Sequence, residues 1–185
     1  MSATAIILGR AGSKGVPGKN VAPIAGKPCG LWTIDLATAS ASVSRVVVST
    51  DDSTLASLAR DRGATVIERP AELASDTARI DDAARHAVQS FERAEAPFAA
   101  TAAIVILYAN VPVRPHDLID RAVTLLTTSG CDSVQSYQPV GKHHPWWTAR
   151  LDESGRVGPW EGDVLNHGVF RRQDLPPAFI PDGGI

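Results

Sequence analysis

Short apolar runs alternate with amphipathic stretches along most of this chain. The apolar runs have the length of buried strands, and they cover residues 4–8, 45–50, 64–67, 102–108 and 132–137. Helical patterns lie between them, at residues 28–39, 51–62, 76–94 (a loop that leads into a helix) and 115–128. This alternation predicts an α/β fold of three layers, with a mostly parallel sheet and helices on both faces.

Residues that start and stop helices agree with these boundaries. Pro28 suits a first helical turn, and either Asp51 or Asp52 can cap the second helix through its carboxylate. Gly63 and Gly130 suit the left-handed position that ends a helix. We therefore expect four strand–helix units in succession.

The pattern changes after Pro139. Residues 141–163 have no clear periodicity, but they contain Trp146, Trp147 and Trp160 among prolines, glycines and charged residues. Three tryptophans in such a segment would expose much apolar surface, which is typical of a subunit interface. The sequence favours a protruding dimerisation segment at residues 139–166 and a homodimer, while the alternative that the tryptophans fold back on their own domain stays open.

Size and composition are those of one soluble globular domain covering residues 1–185. The net charge of −2 gives no indication of nucleic-acid binding. No apolar run approaches the about 18 residues of a membrane span, and no basic region precedes an apolar stretch as in a secretory signal. Cys29 and Cys131 form no CxxC pair, so we expect reduced thiols, no zinc and a cytoplasmic protein.

Positive charge is concentrated at the N-terminus. The first 34 residues contain no Asp or Glu, but they include Arg10, Lys14, Lys19 and Lys27. Such a cluster on a mildly acidic chain favours an anion-binding site. The alternative is a solvated basic face, which the glycine-rich surroundings make the weaker interpretation.

The segment at residues 9–20 joins the first strand to the first helix. Gly12, Gly15 and Gly18 would let backbone N–H groups approach a phosphate closely, while Arg10, Lys14 and Lys19 supply counter-charge. The segment matches neither the Walker A pattern nor GxGxxG. Because ligands of parallel sheets bind at the carboxyl ends of strands, this loop predicts a triphosphate site.

The loop and later segments resemble the acylneuraminate cytidylyltransferase (CMP-sialic acid synthetase) family. The segments that carry the resemblance are residues 10–20, 25–28, 47–51, 69–78, 139 with 143–145, and 172–176. The resemblance covers nearly the whole chain. It implies a Rossmann-like nucleotidyltransferase fold and an enzyme that uses CTP to activate an acidic, nonulosonic-type sugar. The products would be a CMP-sugar and pyrophosphate.

The resemblance also implies roles for individual residues. The nucleotide would contact Arg10, Ala11, Gly12, Ser13, Lys14, Lys19, Asn20, Arg69 and Ala78. Among these, Arg10, Lys14 and Lys19 would serve catalysis by neutralising phosphate charge. The sugar would contact Tyr108, Asn110, Arg114 and Arg172. For Arg69 and Asp76 the alternative is a surface ion pair, and for His143 and His144 we favour a structural or interface role over metal binding.

Two departures from the family pattern bear on function. The family usually has Gln-Pro-Thr-Ser-Pro-Leu-Arg where this chain has Tyr108-Ala-Asn-Val-Pro-Val-Arg114, so we expect a substrate other than ordinary sialic acid. The family also binds Mg²⁺ through aspartates beyond an Asn-Gly-Ala-Ile-Tyr motif, and this sequence stops within that motif, at residues 182–185. The C-terminal part of the family fold is expected to be absent, and two alternatives stay open: the sequence is truncated, or the protein lacks the family's metal ligands. The metal ligands of this protein are therefore unknown.

Three functional hypotheses remain at this stage. The first is an active CTP-dependent transferase that uses Mg²⁺. The second is a catalytically impaired relative that acts as a nucleotide-binding or interaction module. The third is a nucleotidyltransferase for another base, which residues 69–78 argue against.

Overall fold

The computed structural model describes residues 2–94 and 103–185. They form two compact units, one of residues 2–135 with Gly183–Ile185 and the other of Ser136–Asp182. We call them the first and second units. The predicted segment 139–166 lies within the second unit, and its role as a dimerisation segment stays a prediction.

The first unit is built on a parallel sheet of four strands in the order β5-β4-β1-β6. These strands are β1 (Ala3–Leu8), β4 (Val43–Thr50), β5 (Thr65–Glu68) and β6 (Ala103–Tyr108). A two-stranded hairpin of β2 (Pro23–Ile24) and β3 (Lys27–Pro28) lies between β1 and the first helix. Every residue of β1 is buried, as expected for a central strand covered on both faces.

In the described part of the chain, five α-helices connect or follow these strands. They are α1 (Cys29–Ala39), α2 (Ser53–Asp61), α3 (Ala71–Ala74), α4 (Ile80–Ala94) and α5 (Leu118–Ser129). Asp52 caps α2 by accepting from the N–H groups of Thr54 and Leu55 at 2.9 and 3.1 Å. Gly130 ends α5 in the left-handed conformation, with φ of 69°.

Helices cover both faces of the sheet. On one face, Ile7 of β1 lies in a buried cluster with Ile34 of α1, Leu55 of α2 and Ile119 of α5. On the other face, Ile6 and Val47 pack with Ala87 and Phe91 of α4. Side chains alternate along each strand, so neighbouring residues of β1 serve opposite layers. The predicted three-layer α/β fold is confirmed.

The predicted strand at residues 132–137 is wrong. Residues 132–136 are irregular, and the strand here is β7 (Tyr137–Pro139), which pairs with β10 (Phe179–Pro181) in the second unit. Val134 is the one apolar side chain among residues 132–136. A segment with so little apolar surface gains little from lying in a sheet.

The second unit consists of short elements. Besides the β7–β10 pair it has a hairpin of β8 (Ala149–Leu151) and β9 (Val157–Pro159). Its 3₁₀ turns are Pro145–Trp147, Leu165–Gly168 and Arg172–Asp174. His144 is the one buried residue in this fully described unit. In residues 2–94 and 103–185, no helix is long and apolar enough to cross a membrane.

Candidate functional site

The glycine-rich loop leaves the carboxyl end of β1 through a narrow passage. A Cβ atom on Gly9 would lie 2.7 Å from Cδ2 of Leu55 and 2.9 Å from Cβ of Ala109. The N–H of Gly9 donates to the carbonyl of Ser49 at 3.1 Å, which ties the start of the loop to β4. Glycine is therefore required here by the close approach of neighbouring side chains.

A carboxylate holds two of the loop's cations. Nη2 of Arg10 lies 2.7 Å from Oδ1 of Asp76, and Nζ of Lys14 lies 2.6 Å from Oδ2 of the same residue. Nη1 of Arg10 also donates to the carbonyl of Ala74, the last residue of α3, at 3.1 Å. The loop and the segment after α3 are thus joined through side-chain cations.

These contacts lower the pKa of Asp76. Hydrogen bonds from Lys14 and then from Arg10 favour the charged carboxylate and hold its pKa below the ordinary value. Asp76 does not form the surface ion pair with Arg69 that the sequence allowed as an alternative. Its partners are the two loop cations.

Hydrogen bonds to Asp51, within the loop backbone and from Asn20 fix the shape of the loop. The N–H of Ala11 donates to Oδ1 of Asp51 at 2.8 Å, and the N–H of Ser13 donates to the carbonyl of Ala11 at 2.9 Å. Asn20 is 2% exposed, and its Nδ2 donates to the carbonyl of Arg10 at 2.8 Å. Its Oδ1 is buried and has no hydrogen-bond partner within the described part of the chain, a state that costs free energy.

The remaining loop residues predicted to bind nucleotide lie on the open side or at its edge. Gly12 is exposed, and Ser13 and Lys19 are half-buried. Burial raises the pKa of the Cys29 thiol, and the nearby cations Arg114 and Lys19 oppose that rise. Lys19 therefore lies at the inner end of the loop, close to the start of α1.

Arg69 follows β5 and points into the protein. It is 7% exposed, and its Nε and Nη2 donate to Oγ and the carbonyl of Ser49 at 3.2 and 2.9 Å. Burial lowers the pKa of this guanidinium, and the nearby Asp51 carboxylate opposes that effect. Arg10 also acts on Arg69, so both arginines lie in the same charged region at the carboxyl ends of the strands.

Ala78 completes the predicted nucleotide contacts. Its N–H donates to the carbonyl of Ser75 at 3.3 Å within the turn between α3 and α4. This turn also contains Asp76, so Ala78 belongs to the segment that the loop cations hold. The structure therefore brings the predicted nucleotide residues to one edge of the sheet.

Arg114 makes structural contacts. Its side chain is buried, and it donates to Oγ1 of Thr33 at 2.8 Å, to the carbonyls of Tyr108 and Gly184 at 3.0 and 2.6 Å, and to the carbonyl of Val111. These bonds fasten the segment after β6 to α1 and to Gly184. The predicted contact of Arg114 with sugar stays untested, while this geometry favours a positioning role.

The other predicted sugar-binding residues have mixed exposure. Tyr108 is half-buried at the end of β6, and Asn110 is exposed. Arg172 is exposed in the second unit, where it begins the 3₁₀ turn Arg172–Asp174. Their roles stay predictions.

His144 has a structural role in the second unit. Its Nδ1 accepts from the N–H of Trp146 at 3.2 Å, so its Nε2 carries the proton that bonds the carbonyl of Pro176 at 3.1 Å. Trp146 in turn stacks on His167 with ring centroids 5.0 Å apart.

The described residues do not form a group of ligands for the expected Mg²⁺. Residues 2–94 and 103–185 contain no cluster of three or more His, Cys, Asp or Glu placed to hold an ion. Among the described carboxylates, Asp51 and Asp76 contact the loop, and both are already bonded to its groups. The described residues therefore do not fit a preformed magnesium site.

Sequence reasoning did not predict the site contacts of three residues. Asp51 was considered as a helix cap and as part of a segment that carries the family resemblance, Asp76 was favoured as part of the site but given no contact with the loop, and Thr33 was not considered. The signal for Asp51 was its place directly after β4, at the same sheet edge as the loop. Thr33 gave no signal, because a buried threonine in a helix is common.

The sheet order and the basic loop after β1 define a Rossmann-like nucleotidyltransferase fold. A solved CMP:2-keto-3-deoxy-manno-octonic acid synthetase complexed with CTP has this fold, with a TM-score of 0.65 over 97% of this chain and 70% of that chain at 17% identity. The family model described as cytidylyltransferase matches residues 4–151. The chain belongs to the cytidylyltransferase family, and the resemblance seen in its motifs is confirmed.

Named relatives are similar to this chain in sequence. The N-acylneuraminate cytidylyltransferase of Streptococcus agalactiae serotype V is 32% identical over 100% of this chain and 43% of its own length. The CMP-N,N'-diacetyllegionaminic acid synthase of Legionella pneumophila is 33% identical over 85% of this chain and 66% of its own. The chain thus spans less than half the length of the streptococcal relative.

Proposed function

We propose that this protein is a cytidylyltransferase that transfers CMP from CTP to an acidic sugar and releases pyrophosphate. The observation that carries the proposal is the loop after β1, whose cations lie at the carboxyl edge of a parallel sheet beside Arg69 and Ala78. Nucleotidyl transfer needs in-line positioning and neutralised phosphate charge. Arg10, Lys14 and Lys19 would supply both.

The names of two relatives support an acidic sugar as the substrate. One relative is named for N-acylneuraminate and the other for N,N'-diacetyllegionaminic acid. Tyr108 and Asn110 would face the sugar, and Arg172 would bind its carboxylate through a guanidinium that is exposed in this structure.

Magnesium belongs to the proposal as a companion of the nucleotide. Mg²⁺ commonly binds through one or two carboxylates together with substrate phosphates and waters. An ion that arrives with CTP needs fewer protein ligands than a preformed site would need.

Nucleotide binding is tested first. Calorimetric titration with CTP, UTP, ATP and GTP, each with Mg²⁺, is expected to show preferential binding of CTP. Arg10→Ala and Lys14→Ala should weaken that binding, whereas Lys142→Ala, which removes an exposed cation of the second unit, should not. Equal binding of all four nucleotides would contradict cytosine recognition.

Turnover is tested second. Pyrophosphate release is measured with CTP, Mg²⁺ and a panel of nine-carbon and eight-carbon acidic sugars. Release that depends on CTP, on Mg²⁺ and on one sugar would support the proposal. CTP binding without release for any sugar would instead indicate a nucleotide-binding relative without catalysis.

We also propose that the protein is a homodimer. The second unit exposes Tyr137, Leu151, Val157, Trp160, Val164, Leu165, Phe170, Phe179 and Ile180. So much exposed apolar surface on 47 residues is unusual for a monomer and supports an interface with a second copy. Light scattering at about 100 μM protein, where a dimer with a micromolar dissociation constant is mostly formed, should give twice the mass of 19.5 kDa, and a monomer there would contradict the dimer.

A cytoplasmic location completes the proposal. Cys29 is buried and Cys131 is exposed, and both are free thiols. An exposed free thiol is compatible with a reducing compartment.

A further inference from the structure

Asp76 occupies the place that a polyphosphate would need. Its two carboxylate oxygens contact two different loop cations, Arg10 at 2.7 Å and Lys14 at 2.6 Å. A phosphate chain offers the same arrangement of anionic oxygens, and phosphate oxygens would bind the same guanidinium and ammonium groups. Asp76 therefore competes with any anion that binds these two side chains.

The same cations join the loop to the segment that carries Asp76. Arg10 donates to the carbonyl of Ala74 at 3.1 Å, in addition to its contact with Asp76. The turn that follows α3 is then held by a hydrogen bond from Ala78 to Ser75 at 3.3 Å. Removing Arg10 and Lys14 from Asp76 would release this segment from the loop.

The contacts are of a kind that a ligand can replace. The side chain of Lys14 is 85% exposed and that of Asp76 is 38% exposed. Ion pairs between exposed groups are weak because water screens them. A triphosphate carries several negative charges, whereas Asp76 carries one, so the polyanion has the electrostatic advantage at the two cations.

We propose that Asp76 acts as an internal anion that closes the phosphate-binding loop onto residues 71–79, and that a polyphosphate opens it by displacing the Asp76 carboxylate. This inference rests on the proposed function, because it assumes that Arg10 and Lys14 receive the phosphates of the nucleotide. Asp76 thereby lowers the affinity of each anion that needs both cations.

Asp76→Asn is the direct test, because asparagine keeps the shape and removes the charge. The probes are inorganic triphosphate and CMP, titrated by calorimetry at one pH and one low salt concentration. Triphosphate should bind Asp76→Asn roughly three- to tenfold more tightly than the unmodified protein, the range expected when two exposed ion pairs no longer compete. CMP should gain by no more than triphosphate, because it carries fewer negative charges near the position of the removed carboxylate.

Asp81→Asn is the matched control. Asp81 is an exposed aspartate five positions along the chain, and it pairs with Arg79 at 3.3 Å, not with the loop. The affinity of the Asp81→Asn variant for triphosphate should equal that of the unmodified protein. If Asp76→Asn proves unstable, Asp76→Ser removes the same charge with a smaller side chain and replaces it in the comparison.

Hydrogen exchange gives an independent readout of opening. Triphosphate should accelerate exchange of amides in residues 71–79 of the unmodified protein. In Asp76→Asn the exchange should already be fast without ligand. Unchanged exchange on binding, in a protein that does bind triphosphate, would overturn the opening step.

The outcomes separate this inference from the proposed function. Equal or weaker triphosphate binding by Asp76→Asn would overturn the role of Asp76 and leave the cytidylyltransferase proposal standing. Tighter binding by Asp76→Asn without any preference for CTP would support the role of Asp76 and contradict cytosine recognition. Failure of triphosphate to bind either protein would overturn both.

Discussion

At the scale of single residues, neighbouring aspartates after β4 have different roles. The sequence allowed either Asp51 or Asp52 to cap α2. The structure assigns the cap to Asp52, and Asp51 instead accepts the N–H of Ala11 in the loop. Local pattern identified the helix start, but the choice between the two carboxylates depends on the loop, which lies 40 residues earlier in the chain.

Gly9 shows how closely the loop fits its surroundings. We expect Gly9→Ala to lower the free energy of unfolding by about 1–3 kcal/mol, the usual cost of overpacking. The added Cβ would lie 2.7 Å from the side chain of Leu55 and 2.9 Å from that of Ala109, so α2 or the segment after β6 must shift. Urea denaturation measures the change.

Gly15→Ala is the control for Gly9→Ala. A Cβ on Gly15 meets no atom within 4 Å. Its effect on stability should lie within a few tenths of a kcal/mol of zero, or be slightly favourable because alanine restricts the unfolded chain. Equal losses for the two variants would mean that the passage around Gly9 is not the constraint.

At the scale of elements, Arg114 connects three parts of the first unit. It binds Thr33 of α1, the carbonyls of Tyr108 and Val111 after β6, and the carbonyl of Gly184. Thr33 supports the same segment, because its Oγ1 lies 3.2 Å from each of the two carbonyls at Tyr108 and Val111. The residues predicted to face the sugar are thus held from behind by Arg114.

Arg114→Lys should therefore reduce stability. Lysine keeps the charge but lacks the planar fork, so buried carbonyls lose their donors. We expect the free energy of unfolding to fall by roughly 1.5–3 kcal/mol, the range for hydrogen bonds to a charged group. Arg121→Lys, at an exposed arginine paired with Asp117 at 3.1 Å, should change it little. Unchanged stability of Arg114→Lys with weaker sugar binding would instead indicate direct substrate contact.

The sequence predicted the elements better than it predicted their contacts. Every strand of the parallel sheet was located within two residues at its described ends, because fully buried strands leave continuous apolar runs such as those of β1 and β6. The error at residues 132–137 arose because a segment whose apolar side chains are Val134 and Tyr137 was predicted to be a strand. The role of Arg114 and the partners of Asp76 depend on residues distant in sequence, and no local pattern carries that information.

At the scale of the whole molecule, the two units differ in how they are stabilised. The first unit has buried clusters on both faces of its sheet. The second unit, all of whose residues are described, has one buried residue, His144, and exposes Trp160, Phe170 and Phe179. A unit of this size without a core of its own depends on further burial for stability. Contact with a second copy, as proposed above, would provide it.

Dimerisation and order in the second unit should therefore be linked. Binding of a partner stabilises a structure by mass action, so the second unit should gain protection as protein concentration rises. We expect hydrogen exchange of β7 and β10 amides to slow between about 1 and 100 μM protein, a range in which a micromolar dimer changes from mostly dissociated to mostly formed. Amides of β1 provide the control in the same sample, because that strand is buried within its own unit. Exchange of β7 and β10 that is independent of concentration would mean that the second unit keeps its structure without a second copy, and its exposed apolar side chains would then need a different partner.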